Sequence, residues 1–173
     1  MVADQANLAS YVALPALPCD IGELADAARS EGFGMVHRLI DDYAAERNRF
    51  SKRGESLCAA LVGDRTVAVG GINVDPYYDS PVLGRIRHLY VHPDFRHCGV
   101  GTGLMNLIES RGEQYFDSFQ LFTTSRAAGW FYEALSYVPV QGRWKVSHAK
   151  NVRVAWRDRG RARLGDSSDR RRA

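Results

Sequence analysis

The sequence predicts an α/β (α+β) domain built on a mixed sheet, and three features carry that expectation. Ser56–Val62 and Thr66–Val74 are short apolar runs joined by Gly63-Asp64-Arg65, which reads as an antiparallel hairpin. Arg85–Val91 leads through a glycine-rich loop into an amphipathic helix and then to Ser118–Thr124, a strand–helix–strand order that favours parallel pairing. Two helical patterns precede the hairpin. Antiparallel and parallel neighbours in one chain make a mixed sheet with flanking helices.

Residues 1–19, with Pro15 and Pro18, read as an irregular lead-in. Asp20 is a candidate N-cap, and Glu23 three residues on completes a capping-box pattern before Ile21, Leu24, Ala25 and Ala28 at helical spacing. Gly32 and Gly34 interrupt, and a second helical pattern follows through Val36, Leu39, Ile40, Tyr43 and Ala44. Ser51–Glu55 is a loop. The Gly70-Gly71 pair inside the second hairpin strand signals a bulge or a close backbone approach. Asp75–Pro81 is a loop of turn formers carrying Tyr77 and Tyr78. The helix that begins near Gly101 sets Leu104, Leu107, Ile108 and Tyr115 on one stripe. Ser125 is placed to cap a further helix containing Trp130, Phe131, Ala134 and Leu135, with Trp130 and Phe131 read as core. Tyr137–Val140 and Trp144–His148 read as closing strands, the second extended by Asn151–Trp156.

The chain has 173 residues, enough for one domain with a substantial core, and 45% hydrophobic against 25% charged residues is ordinary for a globular protein. No apolar run approaches the roughly 20 residues of a membrane span, and Met1–Gln5 lacks the form of a signal peptide. Cys19, Cys58 and Cys98 are scattered and in no metal spacing, which predicts reduced thiols, a cytoplasmic setting and no metal. The formal charge is +3, but residues 157–173 hold seven Arg against three Asp, so the body is close to neutral. The expected organisation is a domain over 1–156 with a basic, disordered tail over 157–173. Nucleic-acid binding would rest on that tail alone.

The segment Leu89–Met105 carries the chemistry. Pro93 ends a strand because proline cannot donate to a ladder. Gly99, Gly101 and Gly103 then leave backbone N–H groups unobstructed at the positive end of the next helix, which makes an anion site suited to phosphate. Arg96 stands beside it as a further phosphate partner. A Walker A loop needs Gly-Lys-Ser/Thr, and a dinucleotide fingerprint needs a third glycine where Leu104 stands. Both are excluded by residue identity.

Arg96-His97-Cys98-Gly99-Val100-Gly101 resembles the Arg/Gln-x-x-Gly-x-Gly/Ala motif of the GNAT acetyltransferases, and Phe131–Tyr137 resembles the family's Phe-Tyr-x-x-Leu-Gly-Phe/Tyr segment. The resemblance is close over residues 56–140. It implies a sheet splayed around the third to fourth strand, with acetyl-CoA as cosubstrate entering the split. It further implies that Arg96, His97, Cys98, Gly99, Val100, Gly101 and Thr102 hold the pyrophosphate, that the backbone of Leu89, Tyr90 and Val91 pairs with the pantetheine arm, and that Ser125 replaces a cofactor-contacting asparagine. Tyr132 matches the position that supplies a proton to the leaving thiolate. Family members often form homodimers.

Acetyl transfer to an amine needs a neutral nucleophile, donors for the developing oxyanion and a proton for the thiolate. Arg85 occupies the position of the usual glutamate base. The candidates that remain are His88, Asp75 and His148. Strand alternation aims His88 away from Arg85 and Arg87, and a sheet bulge would reverse that parity. Arg85 and Arg87 either favour an anionic acceptor or pair with nearby carboxylates. Cys98 reads as a bystander. The expected function is direct N-acetylation of a primary amine on a small molecule or peptide. A non-catalytic acyl-CoA-binding module is the alternative.

Overall fold

A computed structural model describes residues 8–152. The hairpin forms where the valine-rich runs predict it, as β2 (Ser56–Val62) and β3 (Arg65–Val74), and both strands are buried over most of their length. One strand precedes them that the lead-in does not announce. β1 (Ala9–Leu14) pairs antiparallel with β2, from Ala9 opposite Val62 to Leu14 opposite Leu57. Its burial alternates only weakly, as suits an edge strand, and that is why the sequence reads there as irregular.

β4 (Leu83–Val91), β5 (Ser118–Leu121), β6 (Val138–Pro139) and β7 (His148–Asn151) complete a seven-stranded sheet among the described residues, ordered β1-β2-β3-β4-β5-β7-β6. β4 and β5 are parallel and the other neighbours antiparallel, so the sheet is mixed. The last strand begins at His148, where the expected Trp144–His148 strand ends. Lys145 takes a positive φ of 55°, which turns that segment into a bend.

Among the described residues, four α-helices flank the sheet. α1 (Ile21–Ser30) and α2 (Met35–Ala44) bury Ile21, Leu24, Ala25, Ala28, Val36 and Leu39, the positions their periodicity predicts. With Leu57, Val69 and Tyr90 these residues form the core on one face. α3 (Val100–Gly112) covers the other face, where Leu104, Met105 and Ile108 meet Ile72, Ile86 and Phe119. α4 (Arg126–Ala134) follows β5. Asp20 does not cap α1. Its carboxylate instead accepts from the Thr66 N–H and hydroxyl, each at 2.7 Å, and ties the start of the helix to β3. The expected boundary at residue 156 and the basic tail lie outside the described residues.

Candidate active site

β4 pairs with β5 only through Leu83, Gly84 and Arg85, opposite Ser118, Phe119 and Gln120. Beyond Arg85 the two strands part, so among the described residues the edge of β4 over residues 86–91 pairs with no strand on that side. The other edge carries a bulge. Val69 lies opposite Tyr90 and Gly71 opposite Arg87, which leaves His88 and Leu89 against Gly70 alone. A Cβ on Gly70 would stand 2.8 Å from Leu89 Cδ1 and 3.1 Å from Ile108 Cδ1, so a side chain there would have to displace both of these tips. His88 absorbs the bulge at φ 57°, in the left-handed region, at a cost of about 1 kcal/mol. Parity reverses there. Ile86 faces α3, whereas Tyr90 faces α1 and α2, and His88 joins Arg85 and Arg87 on that second face.

The loop after β4 ends in an uncapped helix. Pro93–Phe95 forms one short 3-10 turn, His97 takes φ 59° and Gly99 takes φ 89° at the N-cap of α3. No side chain caps this helix, and Gly103 is the first N–H to bond back, to the Gly99 carbonyl at 2.9 Å. The N–H groups of Val100, Gly101 and Thr102 therefore have no acceptor within the helix. They form a ready anion site.

Arg96 does not complete that site as expected. Its Nε donates to the Val91 carbonyl at 2.9 Å, and its two terminal nitrogens grip Glu31 at 2.8 and 2.9 Å. Tyr90 Oη also donates to Glu31, at 2.7 Å. The Arg96 guanidinium holds the Glu31 carboxyl below the usual carboxylate range, while burial and then Glu31 push Tyr90 up to about 12. Arg96 is a strap between the loop and the end of α1. The unbonded donors at the start of α3 are backbone N–H groups, and Glu31, the partner of Arg96, is one that no sequence signal marks. His97 is exposed; Cys98 is buried, with Sγ donating to the Phe95 carbonyl at 3.0 Å. Cys19, Cys58 and Cys98 are all free thiols.

The base candidates separate clearly. Asp75, 2% exposed, accepts from Arg85 Nε at 2.7 Å and Gln120 Nε2 at 2.6 Å on one oxygen, and from the Tyr77 N–H at 2.8 Å on the other. These three bonds hold the carboxylate in the structure and leave one Oδ1 acceptor site unused. Arg85 and Arg87 follow the pairing alternative, Arg85 with Asp75 and Arg87 with Asp42 at 3.8 Å. His88 Nδ1 lies 2.9 Å from the Met35 carbonyl, so that nitrogen is the donor and Nε2 carries the lone pair. Nε2 is buried without a partner. Burial, followed by the nearby Arg87 charge, pushes the His88 imidazole down to about 4. It is neutral at pH 7 and too weak to take a proton from an alkylammonium. His148, on β7, has Nδ1 3.0 Å from Ser147 Oγ and Nε2 3.5 Å from Glu133.

Ser125 caps α4, its Oγ accepting from the Ala128 N–H at 3.3 Å. That bond commits the hydroxyl to the helix. Tyr132 is buried against Phe131, Tyr137 and His148 at ring distances of 5.3, 5.7 and 6.3 Å, and burial pushes its hydroxyl well above the usual phenol range. Trp130, expected in the core, is 57% exposed with Arg126 over its ring at 4.7 Å. The buried line of α4 is Gly129 and Tyr132, one position round from the stripe that the sequence suggests. A depression lined by Gly54, Glu55, Ser110, Arg111, Gln114 and Tyr115 lies at the C-terminal end of α3, remote from this chemistry.

The match to known proteins agrees with this geometry. Residues 53–139 match the family model of the acetyltransferase (GNAT) domain. The fold is similar to the crystal structure of a candidate acetyltransferase from Exiguobacterium sp. 255-15, at 27% identity and a TM-score of 0.75 over 87% of this chain and 97% of that one. It is also similar to a GNAT-family acetyltransferase from Staphylococcus aureus Mu50, at 13% identity, TM-score 0.64 and coverage of 83% and 100%. Ard1 from Thermoplasma volcanium gives 18% identity, TM-score 0.61 and coverage of 84% and 98%. No curated protein matches the sequence. With a splayed mixed sheet, an uncapped helix at the split and a matching family model, the chain belongs to the GNAT acetyltransferase family.

Proposed function

We propose that the chain transfers an acetyl group from acetyl-CoA directly to a primary amine of a small molecule or peptide, within a ternary complex. The observation that carries this reading is the parting of β4 from β5 beyond Arg85, with β4 leading through its loop into the uncapped start of α3. Acetyl-CoA supplies the electrophilic thioester carbonyl. The N–H groups of Val100, Gly101 and Thr102 would hold its pyrophosphate, and the unpaired edge of β4 over residues 86–91 would hydrogen-bond its pantetheine amides.

Two requirements of the reaction then fall to this chain. As the amine nitrogen bonds to the carbonyl carbon and the carbon–sulfur bond breaks, the sulfur needs a proton. The Tyr132 hydroxyl is protonated throughout the neutral range and would donate to the departing sulfur, taking a proton back from water afterwards, although burial, which disfavours the phenolate, makes it a weaker acid than a free phenol. The amine must also lose a proton. Asp75 already accepts three hydrogen bonds and His88 is a weak base, which leaves His148, beside Tyr132, and water to receive the amine's proton, and the reaction draws on the neutral fraction of the acceptor.

Incubation with acetyl-CoA and a panel of primary amines, followed by release of free thiol, tests the reading. Thiol release that requires amine and rises with pH as the amine deprotonates is the expected result. Saturable acetyl-CoA binding without thiol release for any amine would instead favour a non-catalytic acyl-CoA-binding module. The arginine at the glutamate position favours that second reading.

A further inference from the structure

On the face of the sheet opposite α3, Arg85 anchors a cluster that the acetyl-transfer chemistry does not use. Its Nη2 donates to the Lys145 carbonyl at 2.8 Å, and its guanidinium lies 4.7 Å from the centre of the Tyr77 ring. Tyr77 meets Trp144 edge-on at 5.0 Å, and Tyr78 Oη donates to the Trp144 carbonyl at 2.8 Å. The loop between β6 and β7 is thus fastened at two points to the loop between β3 and β4, beside the last residue pair before the sheet splits.

This cluster exposes three aromatic rings together. Tyr77, Phe122 and Trp144 are 42, 50 and 65% exposed. Arg143 stacks on Tyr78 at 4.9 Å, and Lys145 Nζ lies 5.5 and 5.9 Å from the Phe122 and Trp144 rings. Neither Arg143 nor Lys145 forms an ion pair among the described residues. Other cations on the same face do have carboxylate partners, Arg85 in Asp75 and Arg87 in Asp42. Two cations without ion pairs, Lys145 beside the exposed Phe122 and Trp144 rings and Arg143 over the half-buried Tyr78, are complementary to a ligand with an apolar stem and an anionic end.

We propose that Tyr77, Phe122, Trp144, Arg143 and Lys145 form an acceptor subsite for the carboxylate end of an elongated amine. This rests on the acetyl-transfer reading and names its substrate class. The four residues from Arg85 to Leu89 span about 13 Å at strand rise, less the bulge. With the thioester taken to lie where the backbone of Leu89 would meet the pantetheine arm, a carboxylate at this cluster is on the order of 10 Å from the reacting amine. The aromatic surfaces take the stem, and Arg143 and Lys145 take the carboxylate.

The test compares 8-aminooctanoate with its methyl ester and with octylamine as acceptors, using the wild-type protein and Arg143→Gln and Lys145→Gln, which keep the aliphatic stems. The subsite predicts kcat/KM at least tenfold higher for the carboxylate than for the ester. It predicts that both variants erase most of that preference through KM, leaving octylamine and the KM for acetyl-CoA unchanged. Equal kcat/KM for acid and ester in the wild type, or variants that slow all three acceptors alike, would overturn it. If no amine is acetylated, the transfer reading fails, and calorimetry with 8-aminooctanoate decides the subsite separately. Binding weakened in both variants upholds it, and no binding overturns it.

Discussion

The proposed donor and acceptor halves of the site are built from different materials. The donor half is backbone: three N–H groups at an uncapped helix start and an unpaired strand edge. The acceptor half is side chain: a buried arginine–aspartate–glutamine network, a bulged neutral histidine and a set of exposed aromatic rings with their cations. Backbone sites depend on where glycine permits the chain to turn, and they tolerate change in the surrounding side chains. Side-chain sites change with each substitution. The contrast accounts for a family-typical donor half beside an acceptor half with arginine where a carboxylate base is usual.

The largest effect that would sharpen the contrast is on stability. Asp75→Ala leaves the buried Arg85 guanidinium without its counterion and should cost about 3–5 kcal/mol. Denaturant unfolding measures that loss. Because Asp75 serves structure, the fraction that remains folded should keep its turnover, and a loss of turnover in fully folded variant would return Asp75 to the chemistry.

Tyr132→Phe should come next, lowering kcat about 100-fold, a typical general-acid contribution, with the KM for acetyl-CoA unchanged. Unchanged kcat would remove Tyr132 from the mechanism.

His88 gives a pH signature of comparable size. Its imidazole titrates near 4 in the folded chain, below its ordinary value near 6.5, so the unfolded chain binds the extra proton first as pH falls. Stability is fully present above pH 6.5 and is lost as pH drops toward 4, by on the order of 3 kcal/mol. His88→Phe should flatten that part of the stability–pH curve, and an unaltered slope would contradict the burial argument.

Glu31→Gln has the smallest expected effect. The Arg96 ion pair is partly exposed, so its loss should cost at most about 1 kcal/mol of stability. It should nevertheless raise the KM for acetyl-CoA severalfold by releasing the loop, with kcat retained. Equal KM values in the two proteins would show that the strap has no part in donor binding.

The donor half was legible because its determinants are local. Gly99 at φ 89° and the run that follows sit within a few residues of one another, and helix polarity does the rest. The buried faces of α1 and α2 were legible for the same reason, since 3.6-residue periodicity reports directly on one packed side. Long-range partners were not. Asp20 has an ordinary capping pattern, yet bonds to Thr66, 46 positions away. Arg96 looks like a phosphate ligand until Glu31 is brought to it across 65 positions. The orientation of His88 depends on one extra residue across from Gly70, a property of pairing register that no single strand contains. Trp130 was misplaced because a large apolar residue beside a buried tyrosine reads as core, whereas Arg126 covers its ring at the surface.

The central claim is that the donor site is the backbone at the start of α3 and along the free edge of β4. Amide chemical shifts recorded while CoA is titrated into the protein test it directly. The account predicts the largest changes at Val100, Gly101 and Thr102 and along residues 86–91, with little change at the far end of α3. Saturable CoA binding that leaves those three amides unmoved would contradict it.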